Sequence, residues 1–260
     1  MSGNILSADL NADLGESFGA YTIGADPELI PMITSANIAC GFHAGDPLVM
    51  RKTVELCARH GVAVGAHPGF PDLAGFGRRN LAMKPEEAGA AVLYQAGALA
   101  AFCRAAGVPL RHVKLHGAMY NMAAKDPVLA RAVAEAVADL GEGTALMGLS
   151  GSEMLKAARE AGIPVLSEVF ADRGYRSDGS LVPRGQPGDL IQDAAEAAAR
   201  AERMVREGLV RSVDGTDAPV RADSICVHGD GPKALLFAGR IRRELEKAGI
   251  RVMRKDTAGG

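Results

Sequence analysis

The sequence predicts an α/β fold: one irregular (β/α) barrel of seven or eight parallel strands, with residues 1–260 as a single domain. Three observations carry that expectation. Short apolar runs of strand length alternate with longer helical stretches along the whole chain, the pattern of parallel βαβ units. A cluster of polar residues follows nearly every apolar run, where a buried parallel sheet needs none for packing. No linker, low-complexity tract or fixed-period repeat divides the chain.

The first strand is expected over Ile5 to Asn11, running into the alternating stretch Asp9-Leu10-Asn11-Ala12-Asp13. Polar residues at alternate positions of a strand share one face, and strand 1 of a closed barrel has no solvated edge, so that face is the barrel interior. Ala36 to Cys40 reads as the second strand. Asp46-Pro47 then opens a helix as N-cap and first helical residue, and Gly61 ends it after His60. Val62 to Ala66 is the third strand. Pro85-Glu86-Glu87 opens the next helix with acidic residues at the positive end of its dipole. Strands follow at Arg111 to Leu115, Thr144 to Leu149 and Ile163 to Phe170. A helix is expected from about Leu190 to Glu207, and Asp214-Gly215, flanked by alternating residues, marks a β-hairpin inserted near 209–221. Ser224 to Val227 forms a late strand, Lys233 to Lys247 a last helix, and Ile250 to Met253 a short final strand.

Periodicity alone does not separate a ring of strands from an open doubly wound sheet. The polar clusters do: Asp13 and Glu16, His43 and Asp46, His67 and Asp72, Lys114 and His116, then Glu168, Asp172 and Arg173, and finally His228 and Asp230. Groups from so many strand ends converge on one place only if the strands form a ring, and barrel active sites lie at that C-terminal face.

Composition narrows the function. With 48% hydrophobic residues over 260 positions, the chain buries roughly three quarters of its unfolded surface and needs no staples. Lys and Arg number 29 against 31 for Asp and Glu, a net charge of -2 with no basic run, which excludes a phosphate backbone as partner. Four cysteines without a C-x-x-C pair point to reduced thiols and a cytoplasmic location. No signal peptide is visible at the start. The most membrane-like stretch, AAVLYQAGALAAFCRAAG, is broken by Gln95 and Arg104 and reads as a packed helix, so no membrane partner is expected.

His43, His67, His116 and His228 all fall at strand ends, where imidazole suits proton transfer or metal ligation. His60, beside a helix-ending glycine, and His112, near a strand start, read as structural. In Val113-Lys114-Leu115-His116 the charged residues alternate, so Lys114 and His116 project together toward the mouth. A buried lysine is costly without a carboxylate partner, and Asp13 is the expected one. Gly75-Phe76-Gly77-Arg78-Arg79 can present an Arg fork to a carboxylate or phosphate, with Arg79 the residue assigned to it. Gly229-Asp230-Gly231-Pro232-Lys233 opens a helix and can cradle a phosphate on backbone N–H groups. No Walker loop and no G-x-G-x-x-G occurs anywhere. The expected catalytic set is Asp13, Glu16, His43, Asp46, His67, Lys114 and His116. The expected substrate-binding or phosphate-binding set is Arg79, Glu168, Asp172, Arg173, His228, Asp230 and Lys233, with no residue assigned to a metal.

The segments DLNADLGE (Asp9 to Glu16), ANIACGFHAGDP (Ala36 to Pro47), GAHPGFPDLAGFGRR (Gly65 to Arg79), VKLHGAMYN (Val113 to Asn121), EVFADRGYRSDGSLVPR (Glu168 to Arg184) and ICVHGD (Ile225 to Asp230) resemble the LamB/YcsF family. They span almost the whole chain in order. The resemblance implies an irregular barrel similar to those of glycoside hydrolases and polysaccharide deacetylases. It also implies ATP-dependent hydrolysis of 5-oxoproline to glutamate by a 5-oxoprolinase assembled with two further subunits, B and C. ATP is the implied cofactor, held on this chain or shared with its partners, and a divalent metal is compatible with the residues. On that reading His116 transfers a proton and Lys114 stabilises charge on the activated lactam. Two alternatives stay open: a metal-dependent deacetylase or amidohydrolase built on Asp13, His43, His67 or His116, and a non-catalytic lactam-binding subunit. Against the first, the stretch from His43 reads H-A-G-D, lacking the second histidine one turn on that deacetylases of this fold carry.

Overall fold

The computed structural model describes residues 6–227 and 233–255. Its elements alternate as the sequence requires. Strand β1 (Ser7–Leu14) leads through the short helix α1 (Asp26–Leu29) and a 3-10 turn to β2 (Ser35–Ala39), and α2 (Pro47–His60) returns the chain to β3 (Ala63–His67). Helix α3 (Pro85–Ala105) precedes β4 (Leu110–Lys114), and α4 (Gly117–Ala123) with α5 (Pro127–Ala138) precedes β5 (Ala145–Leu149). Helix α6 (Glu153–Glu160) leads to β6 (Val165–Phe170). The chain then runs through a long loop, α7 (Ala194–Glu207), the hairpin β7 (Leu209–Arg211) and β8 (Asp217–Pro219), and β9 (Ser224–Val227). Helix α8 (Ala234–Lys247) and the two-residue β10 (Arg251–Val252) complete it.

Strands β1 to β6 pair in sequence order, β6 pairs with β9, and β9 pairs back onto β1, so seven parallel strands close a ring among the described residues. The final strand is not an eighth stave. It pairs only with Ser7 and Ala8 at the start of β1. The hairpin lies outside the ring as a separate antiparallel pair.

Helix ends follow the sequence punctuation. Asp46 caps α2, accepting from Leu48 and Val49 N–H, and Gly61 closes it at φ 66°, the left-handed conformation a glycine adopts at little cost. Helix α7 starts at Ala194, capped by Asp193, four residues later than its sequence pattern suggests. Outward-facing Leu10, Ala12, Val113 and Ile225 join the helix faces in one continuous buried cluster. Ala145, Met147 and Leu166 form a second small cluster. The register sets Ala145 and Met147 beside His112 and Lys114, so this cluster plugs the lower interior of the ring. Among the described residues no helix is long and apolar enough to cross a membrane, and the four cysteines are free and buried.

Candidate active site at the mouth of the barrel

Apart from the apolar cluster of Ala145, Met147 and Leu166, the interior of the ring is lined by polar side chains. Asp9 accepts from Thr34, Ser35 and Ser224 hydroxyls, and burial pushes its carboxyl pKa up. Asn11 Nδ2 donates to Ser224 Oγ at 2.7 Å and to Glu168 Oε1 at 3.0 Å. Asn37 Nδ2 donates to Asn11 Oδ1 at 2.7 Å and Asp13 Oδ1 at 2.9 Å, while His112 Nε2 meets Asn37 Oδ1 at 2.7 Å. The His112 ring crosses the barrel over Gly65, where any Cβ would overlap the imidazole. Burial, with Lys114 next, lowers the His112 pKa to about 3, so it is neutral.

Lys114 stands at the centre of the upper ring. Its Nζ donates to Glu168 Oε1 at 2.8 Å, Asp13 Oδ1 at 2.9 Å and Cys226 Sγ at 3.1 Å. Burial alone would lower its pKa, but Asp13, Cys226 and Glu168 outweigh that and hold the ammonium charged well above the ordinary lysine range. Tyr120 Oη donates to Glu168 Oε2 at 2.7 Å, and burial together with that carboxylate keeps it a phenol.

Above Lys114 three histidines meet. His67 Nδ1 lies 2.7 Å from Lys114 O and His116 Nε2 2.8 Å from Phe76 O, while His67 Nε2 and His116 Nδ1 face each other at 3.0 Å. Their rings are perpendicular, at 89°. His43 stacks parallel on His116, centroids 3.8 Å apart, and neither of its buried ring nitrogens makes a hydrogen bond to the protein. Glu16 Oε1 stands 3.9 Å from His43 Nε2 and 4.0 Å from His116 Nδ1, and Asp13 Oδ2 3.4 Å from His67 Nε2. One ligand atom each from Glu16, His43, His67 and His116 falls within 4.8 Å of the others, a donor set compatible with a divalent metal. Burial first, then the neighbouring histidines, lowers the pKa of His43 and His116 well below the usual range.

The loop after β3 clasps this group. Phe76 takes φ 53°, a left-handed conformation costly for a bulky residue, and so aims its carbonyl at His116. A Cβ on Gly77 would lie 2.8 Å from both His116 Cδ2 and His43 Cβ. From α3, Gln95 exchanges two 3.0 Å hydrogen bonds with the backbone of Gly69 and pins the same loop. A pocket opens over the cluster, lined by Asp13, His67, Lys114, His116, Tyr120, Asn121, Phe170, Arg78, Arg173 and Arg184 among others.

Seven of the expected site residues therefore converge: Asp13, Glu16, His43, His67, Lys114, His116 and Glu168. Arg173 lines the pocket too, although Asp189 and Val182 carbonyls hold its guanidinium. Asp172 lies buried beside it at the end of β6. Two expectations are corrected. Asp46 is not in the cluster, because its carboxylate is consumed by three backbone N–H groups of Leu48, Val49 and Gly19. Arg79 does not line the pocket: its guanidinium grips Asp72 within its own loop, with the side chain 64% exposed. Lys233 sits exposed at the start of α8, donating to Gln192. His228 and Asp230 lie outside the described residues. Sequence reasoning missed Asn37, Arg78, Tyr120 and Arg184. Tyr120 had a signal, since it follows His116 by one helical turn and so shares its face.

A family model described as LamB/YcsF family matches residues 8–258. The 5-oxoprolinase A subunit of Bacillus licheniformis is 58% identical over 244 residues, covering 94% of this chain and 96% of that protein. Its namesake from Bacillus subtilis is 56% identical over 244 residues, 94% and 95% of the two chains. Among solved structures, the lactam utilization protein from Thermus thermophilus superposes with a TM-score of 0.91 at 51% identity, covering 96% of this chain and 100% of that one.

Proposed function

Because the chain belongs to the LamB/YcsF family, we propose that it is a subunit of an ATP-dependent 5-oxoprolinase, hydrolysing 5-oxoproline to glutamate with cleavage of ATP to ADP and phosphate. The observation that carries this reading is that relatives 58% and 56% identical, along nearly their whole length, bear the name of the 5-oxoprolinase A subunit. The pocket suits the substrate. Arg78 and Arg184, exposed residues of its lining, match a small anion's carboxylate, and Lys114 in the same lining matches charge developing on a lactam oxygen.

A five-membered lactam holds its amine beside the carboxyl carbon at high effective molarity, so water alone opens it poorly. ATP supplies the activation by phosphorylating the lactam oxygen: water adds to the ring carbon, the C–N bond breaks as its nitrogen takes up a proton, and a second water frees phosphate from the acyl phosphate to leave glutamate. This chain's residues bind and orient the ring, stabilise negative charge and activate water. The His116 role changes with the geometry: its Nε2 proton is given to Phe76 O and its Nδ1 faces His67, so it offers no free donor. Asp13, whose Oδ2 faces the pocket beside His67, is the base assigned to water. The arginines are the groups of this chain that fit a phosphoryl anion; with no nucleotide loop in the sequence, the nucleotide itself is assigned to an interface with subunits B and C. A cytoplasmic location accords with the four free cysteines.

Purified chain mixed with subunits B and C should release glutamate and phosphate from 5-oxoproline, and the chain alone should release neither. Full turnover by the isolated chain would overturn the three-subunit assignment. The histidine cluster also favours a second reading, a metal-dependent amidohydrolase. Lactam opening without ATP in the presence of a divalent metal would establish it instead.

A further inference from the structure

The two carbonyls that anchor His67 and His116 decide which ring nitrogens carry hydrogen. A carbonyl oxygen only accepts, so His67 keeps its N–H on Nδ1, toward Lys114 O, and His116 keeps its own on Nε2, toward Phe76 O. A neutral imidazole has one N–H. When both rings are neutral, His67 Nε2 and His116 Nδ1 are both lone pairs, and they face each other across 3.0 Å. Two acceptors at that distance repel, and a cation placed between them removes the conflict. Because the rings are perpendicular, at 89°, a point in the plane of one can also lie in the plane of the other, as an in-plane lone pair requires. His43 supplies a buried ring with both nitrogens unbonded, an expensive arrangement for an interior polar group without a ligand.

We propose that His67 Nε2, His116 Nδ1 and Glu16 Oε1, completed by His43, hold a divalent transition-metal ion. Donors around such an ion at about 2.0 to 2.1 Å lie roughly 3.3 to 3.4 Å apart in a tetrahedron. The separations of 3.0, 3.9 and 4.0 Å bracket that figure, so the imidazole pair opens by a few tenths while Glu16 closes. His43, parallel to His116 at 3.8 Å, must turn its ring to aim a nitrogen at the same point. Imidazole-rich donors select an ion of the zinc or cobalt kind over magnesium or calcium. Asp13 Oδ2, 3.4 Å from His67 Nε2, is left beside the ion, and a water can add from the pocket only as a fifth ligand. The inference stands on ring geometry and does not depend on the lactam assignment.

The test uses the chelator-stripped full chain and Co2+ alone. One equivalent should give the visible absorption of a four- or five-coordinate cobalt site, displaced by Zn2+. Glu16→Gln and His43→Gln, checked for native melting, should each weaken Co2+ binding by about tenfold or more. No such absorption, or affinities unchanged in both folded variants, would overturn the proposal. Nitrogen NMR of the histidine rings in the wild-type chain tests it without substitution. Zn2+ should shift His67 Nε2 and His116 Nδ1 and leave their partner nitrogens protonated. A doubly protonated ring persisting at neutral pH beside saturating Zn2+ would mean that a shared proton, and no metal, resolves the clash. Either failure leaves ATP-dependent lactam turnover to be judged separately.

Discussion

At the scale of the residue, Lys114 is an ammonium 2% exposed and held between Asp13 and Glu168. Lys114→Met keeps much of the stem and strands two carboxylates. It should cost about 3 to 5 kcal/mol of stability and, in the assembled enzyme, at least a hundredfold in turnover. Chemical unfolding and glutamate release measure the two separately; wild-type turnover in a folded variant would remove Lys114 from the mechanism. His112 makes a pH prediction. Its folded pKa of about 3 lies below the ordinary 6.5, so it contributes stability that is present above 6.5 and lost as pH falls toward 3. The loss approaches about 1.4 kcal/mol per pH unit within that window. His112→Gln should lose this dependence, so urea midpoints of wild type and variant should converge or cross between neutral pH and pH 4. Parallel curves would refute the assignment.

At the scale of the element, one carboxylate separates what sequence can and cannot say. Asp46-Pro47 marks a helix start, and a cap it is, yet the same aspartate near His43 reads equally well as a catalytic group. Only the count of N–H groups on its oxygens decides. Asp46→Ala should cost about 1 kcal/mol in melting experiments and leave turnover per folded subunit near wild type. A large loss of turnover would restore its catalytic reading. Strand positions were legible to within a few residues because apolar runs and turn residues are local signals, and so was the hairpin at Asp214-Gly215. The clasp on the histidines was not. Gln95 looked like a blemish in an apolar helix, and its purpose appears only where α3 meets Gly69.

At the scale of the whole molecule, ring closure depends on β9 meeting both β6 and β1, a pairing between distant segments that no local pattern encodes. The polar residues at strand ends revealed it indirectly, since charged groups from β1, β4 and β6 need one another to be buried at all. What they could not reveal was the number of staves, because β10 carries a strand-like sequence but reaches only the first residues of β1. That short pairing has a practical side. It sets Ser7 beside Arg251 at the end of the ring opposite the pocket, so the two ends of the described chain are neighbours there. A short flexible linker could join them, and new ends could be cut in the exposed turn Gly141–Gly143 before β5. Such a circular permutant should fold, melt within a few degrees of the natural order and still support glutamate release with its partners.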